Sequence, residues 1–83
     1  MNDINITIDT LCPGEYAVVD HVVPSPLSER LAELGVVAGT RIRCLHRAPL
    51  GDPSAFGIRG SVIALRREDS RNVVAASIGG CDG

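Results

Sequence analysis

Apolar and polar residues alternate along most of the chain, in short runs that glycine and proline separate. A period of two predicts β-strands, because successive side chains of a strand point to opposite faces of a sheet. The pattern predicts five strands, over residues 15–23, 40–47, 55–58, 61–65 and 73–78. Residues 1–11, in which Ile4, Ile6 and Ile8 alternate with mostly polar neighbours, are expected to form an N-terminal arm or an extra strand.

One segment, residues 25–35, follows the helical period instead. An apolar stripe recurs in it at positions i, i+4 and i+7, formed by Leu27, Leu31 and Leu34. Ser25 suits an N-cap, Pro26 the first helical position, and Gly35 the left-handed residue that ends a helix. The stripe either covers the open end of a sheet or faces a partner.

The remaining segments predict connections. Turns are expected at residues 12–14, where Pro13 precedes a glycine, and at Ala38-Gly39, where Gly39 can take a positive φ; Gly60 is expected to separate two strands. Residues 66–71 suit a helical turn, and residues 79–83 a frayed tail.

No repeat or linker divides the sequence, so residues 1–83 are expected to form a single domain. About five short strands with one inserted α-helix indicate a mostly β fold, a small and partly open barrel of the SH3 kind. Aromatic residues make up only 2% of the chain, so the core should consist of small branched side chains.

The segment Pro49-Leu50-Gly51-Asp52-Pro53 is the most specific local signal. Its two prolines fix φ, Gly51 can take a positive φ, and the carboxylate of Asp52 can cap the returning chain. Such a turn is rigid. It either holds the barrel closed or presents Leu50 to a partner.

Net charge and cysteine content limit the classes of function and the cellular locations that the sequence allows. The formal net charge is -2, which argues against nucleic-acid binding, since nucleic-acid binders normally carry a basic excess. Three cysteines without a CxxC pair favour a reducing cytoplasm over a disulfide framework. The N-terminus has neither a signal sequence nor a membrane-spanning run, so the chain is expected to be neither exported nor embedded.

Cys44 and His46 are the candidates for metal ligation, because they lie two residues apart and are expected on one strand face. Cys12, His21, Cys81 or a carboxylate would have to complete the site, and a cysteine at this phase is more often a core residue. No nucleophile and base pair, glycine-rich phosphate loop or substrate cleft is indicated. The sequence therefore predicts no enzyme and no cofactor.

Arginine is concentrated on one predicted strand. Arg41, Arg43 and Arg47 are expected on its outer face together with Leu45, with Arg66 and Arg67 brought near them by strand pairing. These residues form either a docking patch for an acidic protein or a solvated face that discourages aggregation.

From about residue 15 to residue 78, the chain resembles the FeoA family of bacterial ferrous-iron uptake proteins. The resemblance rests on 31–36, on Gly39-Thr40, on 48–53, and on Gly60 followed by 63–67. The motif positions are Leu34, Gly35, Gly39, Pro49, Leu50, Gly51, Asp52, Pro53, Gly60, Leu65 and Arg66.

The resemblance implies an SH3-like barrel in the cytoplasm that binds the cytosolic, GTP-hydrolysing part of the ferrous-iron transporter FeoB and modulates its assembly or gating. It implies no catalysis. Leu27 and Leu50 are the predicted partner-binding residues, because apolar groups on rigid elements make efficient anchors. Two alternatives stay open: a metal-sensing module similar to the C-terminal domain of iron-dependent repressors, and a homo-oligomer formed through the leucine stripe or an edge strand.

Overall fold

The computed structural model of the chain describes residues 5–48, 50 and 52–79. Within these residues the chain forms six β-strands, one 3₁₀-helix and two short α-helices. In chain order they are β1 (Ile6–Thr7), the 3₁₀-helix (Ile8–Thr10), β2 (Tyr16–Val22), α1 (Ser28–Glu33), β3 (Arg41–Arg47), β4 (Ser54–Ile58), β5 (Ser61–Leu65), α2 (Arg67–Ser70) and β6 (Val73–Gly79). No helix in the described ranges has the length and apolar character needed to cross a membrane.

The strands form one sheet in the order β1-β6-β2-β3-β4-β5, and every neighbouring pair is antiparallel. The mostly β fold predicted from the alternation is confirmed. All five predicted strands are present within one or two residues of their expected bounds, and the N-terminal arm supplies the sixth.

The core lies on the inner face of this curved sheet and contains mainly branched aliphatic side chains, with Phe56 as the largest of its fully buried members. The buried apolar residues are Ile8, Leu11, Ala17, Val19, Leu31, Val36, Ile42, Cys44, Phe56, Ile58, Leu65, Val73 and Ala75. Alternate residues of β2, β3 and β4 contribute to it, as the period of two predicts. The expected core composition is confirmed.

The N-terminal arm departs from the predicted alternation after Thr7. The Thr7 hydroxyl donates to the Asp9 carboxylate, and the Thr10 hydroxyl donates to the Thr7 carbonyl. These local side-chain bonds compete with strand pairing and turn the chain into a 3₁₀-helix. As a result Ile8 and Leu11, which lie three residues apart, are both buried.

Helix α1 is shorter than predicted, because it begins at Ser28 and not at Pro26. The Ser25 hydroxyl accepts a hydrogen bond from the Leu27 N–H, and the Ser25 carbonyl accepts one from the Ser28 N–H. Ser25 thus closes a turn ahead of the helix and does not cap it. Here Pro26 is part of that turn.

The end of α1 is as predicted. Gly35 has a φ of 101°, and its N–H donates to the Ala32 carbonyl while the Val36 N–H donates to the Leu31 carbonyl. This pair of bonds is the Schellman motif, which brings the side chains that flank the glycine together. Leu31 and Val36 are accordingly both buried.

The predicted alternation of β3 breaks at a bulge. The pairing with β4 shifts register between Cys44 and His46, which leaves Leu45 as the extra residue. Arg47 was expected on the outer face, and this prediction is wrong. Its half-buried guanidinium donates to the Leu11 carbonyl at 2.7 and 3.1 Å and also to the Asp9 carbonyl.

The observed turns agree more closely with the turns that the sequence predicts. Gly39 has a φ of 88° in the turn before β3, and Gly60 has a φ of 82° between β4 and β5. The helical turn predicted over residues 66–71 is α2. The tail begins later than predicted, because Gly79 pairs with Tyr16 in the sheet, and residues 80–83 lie outside the described residues.

Candidate functional site

A groove of about 350 Å³ lies between α1, β5 and α2. Its walls are largely apolar and carry two charged groups; the lining residues are Leu27, Arg30, Leu31, Leu34, Ile63, Ala64, Leu65 and Asp69. Leu31 and Leu65 also belong to the core, so the floor of the groove is the outer surface of the core itself. The floor of the groove is therefore formed by side chains that are packed in the core.

The leucine stripe of α1 is divided between the core and this groove. Leu31 is 3% exposed, whereas Leu27 is 39% and Leu34 is 40% exposed. The two interpretations of the stripe each describe part of it, since one leucine closes the sheet and two remain on the surface. Leu27 and Leu34 lie one on either side of Leu31 along the helix and form the apolar wall.

The two charged groups of the groove come from different helices. Arg30 belongs to α1 and Asp69 to α2. Across the described part of the chain, the one ion pair is between His21 and Asp20, and it involves neither charged residue of the groove. Arg30 and Asp69 are thus free to pair with charges that a ligand brings.

The turn between β3 and β4 presents Leu50, which is 92% exposed. The Ala48 N–H donates to the Pro53 carbonyl at 3.2 Å and closes the turn, while Pro49 and Gly51 lie outside the described residues. Asp52 caps a different element from the one expected. Its Oδ1 accepts the Arg67 N–H at 2.8 Å, at the start of α2.

This cap connects the turn to the groove. Arg67 begins the short helix that carries Asp69, so the hydrogen bond from Asp52 joins the end of the turn to an element that lines the groove. Leu27 lines the groove directly. The structure therefore places both predicted partner-binding residues on the surface and assigns neither to the core.

Cys44 and His46 do not share a strand face, because the bulge lies between them. Cys44 is fully buried, and that burial raises the pKa of its thiol, although the nearby Arg47 guanidinium works in the opposite direction. His46 is exposed and Cys12 is exposed, while Cys81 lies outside the described residues. Among the described residues, no three His, Cys, Asp or Glu side chains are grouped as metal ligands would be.

The arginines expected in one patch lie in separate places. Arg41 and Arg43 stand over the ring of Tyr16, with their guanidinium carbons 4.6 and 5.2 Å from the ring centroid. Arg47 instead faces the 3₁₀-helix. Arg66 and Arg67 follow β5 and lie at the opposite end of the sheet from Arg41, since Leu65 pairs with Ser54 and Ser54 with Arg47.

Sequence reasoning missed the groove residues other than the leucines of α1. Arg30, Ile63, Ala64 and Asp69 come from elements that are distant in sequence, and nothing in their local pattern indicates that they meet. An amphipathic helix followed by an uncharged strand is the one available signal. It identifies two possible walls without placing them side by side.

Comparison with known families gives one match, the FeoA domain, over residues 6–76. No curated protein sequence matches the chain closely enough to count as a relative.

Three solved structures illustrate the likeness. FeoA of Stenotrophomonas maltophilia, solved with zinc and described as a prokaryotic SH3 domain protein and a candidate activating factor of ferrous-iron transport, is 27% identical with a TM-score of 0.83. The alignment covers 93% of this chain and 99% of that one. Iron(II) transport protein A of Clostridium thermocellum is 32% identical with a TM-score of 0.79, over 86% of this chain and 45% of that one.

The third structure is a manganese-dependent transcriptional repressor, 14% identical with a TM-score of 0.81, over 93% of this chain and 44% of the repressor. At that identity the likeness concerns the fold alone. The S. maltophilia structure confirms the SH3-like architecture expected from the strand pattern, and the repressor shows that the same fold also occurs as part of a longer chain.

Proposed function

The chain belongs to the FeoA family, and from this premise we propose that it is a non-enzymatic accessory protein of ferrous-iron transport that binds the cytosolic part of the transporter FeoB. Binding modulates the assembly or gating of the transporter. The chain acts in the cytoplasm and reaches the membrane through its partner. The proposal concerns contact between proteins and assigns the chain no catalytic step.

The observation that carries the proposal is the exposure of Leu27 and Leu34 on either side of a buried Leu31. Full burial of a leucine side chain contributes about 1.5–3 kcal/mol, and about two fifths of that, roughly 0.6–1.2 kcal/mol, is still available at each of these two positions, which are 39% and 40% exposed. Apolar side chains held in a packed groove are the kind of surface at which binding energy concentrates. A partner that fills the groove gains this energy without reorganising the core.

Leu50 extends the surface beyond the groove. It stands on a turn tied to α2 through the hydrogen bond between Asp52 and the Arg67 N–H. A turn that is tied at one end loses less backbone entropy when it binds, which favours an exposed apolar side chain on it as an anchor. We place Leu50 at the rim of the interface and Leu27 within it.

The test is a calorimetric titration of the full chain with the cytosolic part of FeoB, without nucleotide and with GDP or a non-hydrolysable GTP analogue. We expect saturable one-to-one binding in at least one nucleotide state, and reduced ferrous-iron uptake in cells that lack the chain. Absence of binding in every state and to the full transporter, together with normal uptake, would overturn the proposal.

The zinc complex of the S. maltophilia protein favours testing metal sensing as the second candidate. In this chain the donors that would serve it are Cys44 and His46, and the core position of Cys44 makes His46 the accessible one. Calorimetry with zinc and ferrous iron on the wild type and on His46→Ala decides the matter. Binding that is lost in the variant would support the metal-sensing function, and no heat with either metal would exclude it.

A further inference from the structure

Strand β5 has one free edge. Among the described residues it pairs with β4 only and stands last in the sheet order. Its five residues, Ser61–Leu65, include no charged residue and no proline. Protected edge strands normally carry such residues, because an unprotected edge offers backbone groups to another chain.

The hairpin geometry identifies which backbone groups are free. Arg59 and Gly60 have φ values of 52° and 82°, which is the two-residue type I′ turn, so Ile58 and Ser61 close the hairpin as a hydrogen-bonded pair. Hydrogen-bonded and non-hydrogen-bonded pairs alternate along an antiparallel ladder. Val62 and Ala64, which pair with Gly57 and Ala55, therefore direct their N–H and C=O groups away from β4.

No other element of the described chain satisfies these groups. Within the described ranges, no hydrogen bond joins the backbone of Val62 or Ala64 to a loop, a helix or a side chain. Two N–H donors and two C=O acceptors are thus presented in a row with the spacing of a strand.

The free edge is a wall of the groove. Ile63, Ala64 and Leu65 all line it, although successive side chains of a strand point to opposite faces. Three consecutive lining residues mean that the groove follows the edge of the strand and not one of its faces. Leu27 and Leu34, which flank α1 at its two ends, also line the groove.

We propose that the groove receives an extended segment of the partner as an added strand on β5, an inference that rests on the proposed function and specifies its binding mode. The backbone of the segment pairs with the N–H and C=O groups of Val62 and Ala64. Alternate apolar side chains of the segment enter the groove against Leu27 and Leu34. The others lie beside Val62, which is 66% exposed on the outer face.

The charged groups of the groove indicate which charged residues the bound segment should carry. Arg30 and Asp69 line the groove without an ion pair inside the described chain, so a segment with one acidic and one basic flanking residue complements both. A second copy of this chain fits less well. It would bring its own α1 to the same edge, because every copy carries a helix beside β5.

Amide hydrogen exchange measured by NMR on the full chain, free and bound to the cytosolic part of FeoB, tests the mode residue by residue. In the free chain we expect fast exchange at Val62 and Ala64 and slow exchange at Ile63 and Leu65, which already bond to β4. In the complex, Val62 and Ala64 should become protected at least tenfold. A complex that forms without this protection overturns the added strand and leaves the proposed function intact, whereas no complex at all overturns both.

A matched pair of variants gives an independent check. Ala64→Pro removes the free N–H without removing a bond to β4, since proline is tolerated on an edge strand whose N–H faces outward. Ala64→Ser keeps the N–H and adds a polar atom. We expect about tenfold weaker binding for the proline variant and less than twofold change for the serine variant; equal affinities would overturn the proposal. Should Ala64→Pro fail to fold, the exchange measurement on the wild type decides alone.

Discussion

The two ends of the curved sheet use the same aliphatic residue types in opposite ways. At the β1 and β6 end, the 3₁₀-helix covers the sheet, and Ile8 and Leu11 are almost completely buried. At the β5 end, α1 covers the sheet only with Leu31 and leaves Leu27 and Leu34 in an open groove. The difference separates an end that the chain itself covers from an end that leaves two leucine side chains partly exposed.

A half-buried cation holds the closed end together. The Arg47 guanidinium donates to the carbonyls of Asp9 and Leu11 and thereby ties the 3₁₀-helix to β3. The charged groups at the open end, Arg30 and Asp69, make no such bond within the described residues. Substitutions at the closed end should therefore lower the stability of the fold, and substitutions at the open end should lower affinity for the partner.

The largest expected effect is at the centre of the core. Phe56→Ala should lower the free energy of unfolding by about 3–5 kcal/mol, because it removes the largest fully buried side chain and leaves a cavity. Val62→Ala, on the neighbouring strand but exposed, should change it by less than about 0.5 kcal/mol. Urea denaturation followed by circular dichroism measures both; similar losses for the two variants would contradict the distinction between the packed core and the exposed edge strand.

The second largest loss of stability is expected at Arg47, whose hydrogen bonds tie the 3₁₀-helix to β3. Arg47→Met keeps most of the aliphatic stem and removes the donors, which leaves two carbonyls unsatisfied and should lower stability by about 2–3 kcal/mol. Arg41→Met is the matched control, since Arg41 lies on the same strand and contacts only the Tyr16 ring among the described interactions, and should lower stability by less than about 1 kcal/mol. If the Arg47 variant were no less stable than the control, the guanidinium would not be what closes this end.

The sequence predicted those structural features whose causes lie within a few neighbouring residues, and it missed those that depend on contacts between distant segments. Strand β5, the turn at Gly39 and the helix stop at Gly35 followed from residue type and period, because their causes lie within a few residues. The bulge at Leu45 did not, since it arises from the pairing of β3 with β4. Once one residue is added to a strand, every later residue changes face, and Arg47 moved inward for that reason.

The candidate site divides in the same way. Leu27 was predicted from the helical stripe and lies in the groove, whereas Arg30 and Asp69 were not predicted because their meeting depends on how α1 and α2 pack around β5. The carboxylate of Asp52 was expected to cap its own turn. It caps α2, fifteen residues away, because the pairing of Ser54 with Leu65 brings the two segments together.

A smaller effect is expected at that cap, which links the turn to the groove. Asp52→Ala removes the acceptor of the Arg67 N–H and should lower stability by about 1 kcal/mol. Asp52→Asn keeps an oxygen acceptor at the same position and should lose less than half as much. Thermal denaturation of the two variants side by side provides the measurement, and an asparagine variant as unstable as the alanine variant would show that the hydrogen bond is not the cause.

The smallest effect is the pH dependence that Cys44 contributes. Burial raises the pKa of its thiol, so the folded chain holds this proton more tightly than the unfolded chain. The thiol contributes its full stabilisation below the thiol pKa of the unfolded chain. This stabilisation is lost as the pH rises through the thiol pKa of the folded chain, so the stability of the fold should decrease in alkaline solution. Denaturation midpoints of the wild type and Cys44→Ala from pH 7 to 10 check this; a wild-type curve no steeper than that of the variant would contradict it.

The measurement that tests the central claim most directly is the affinity of Leu27→Glu for the cytosolic part of FeoB, compared with that of Ala32→Glu. Ala32 is exposed on the same helix, lies outside the groove and receives the same charge. We predict that Leu27→Glu binds at least about tenfold more weakly, a change of about 1.4 kcal/mol, while its thermal transition stays near that of the wild type. Unchanged affinity, or a loss of stability like that of a core variant, would contradict the account.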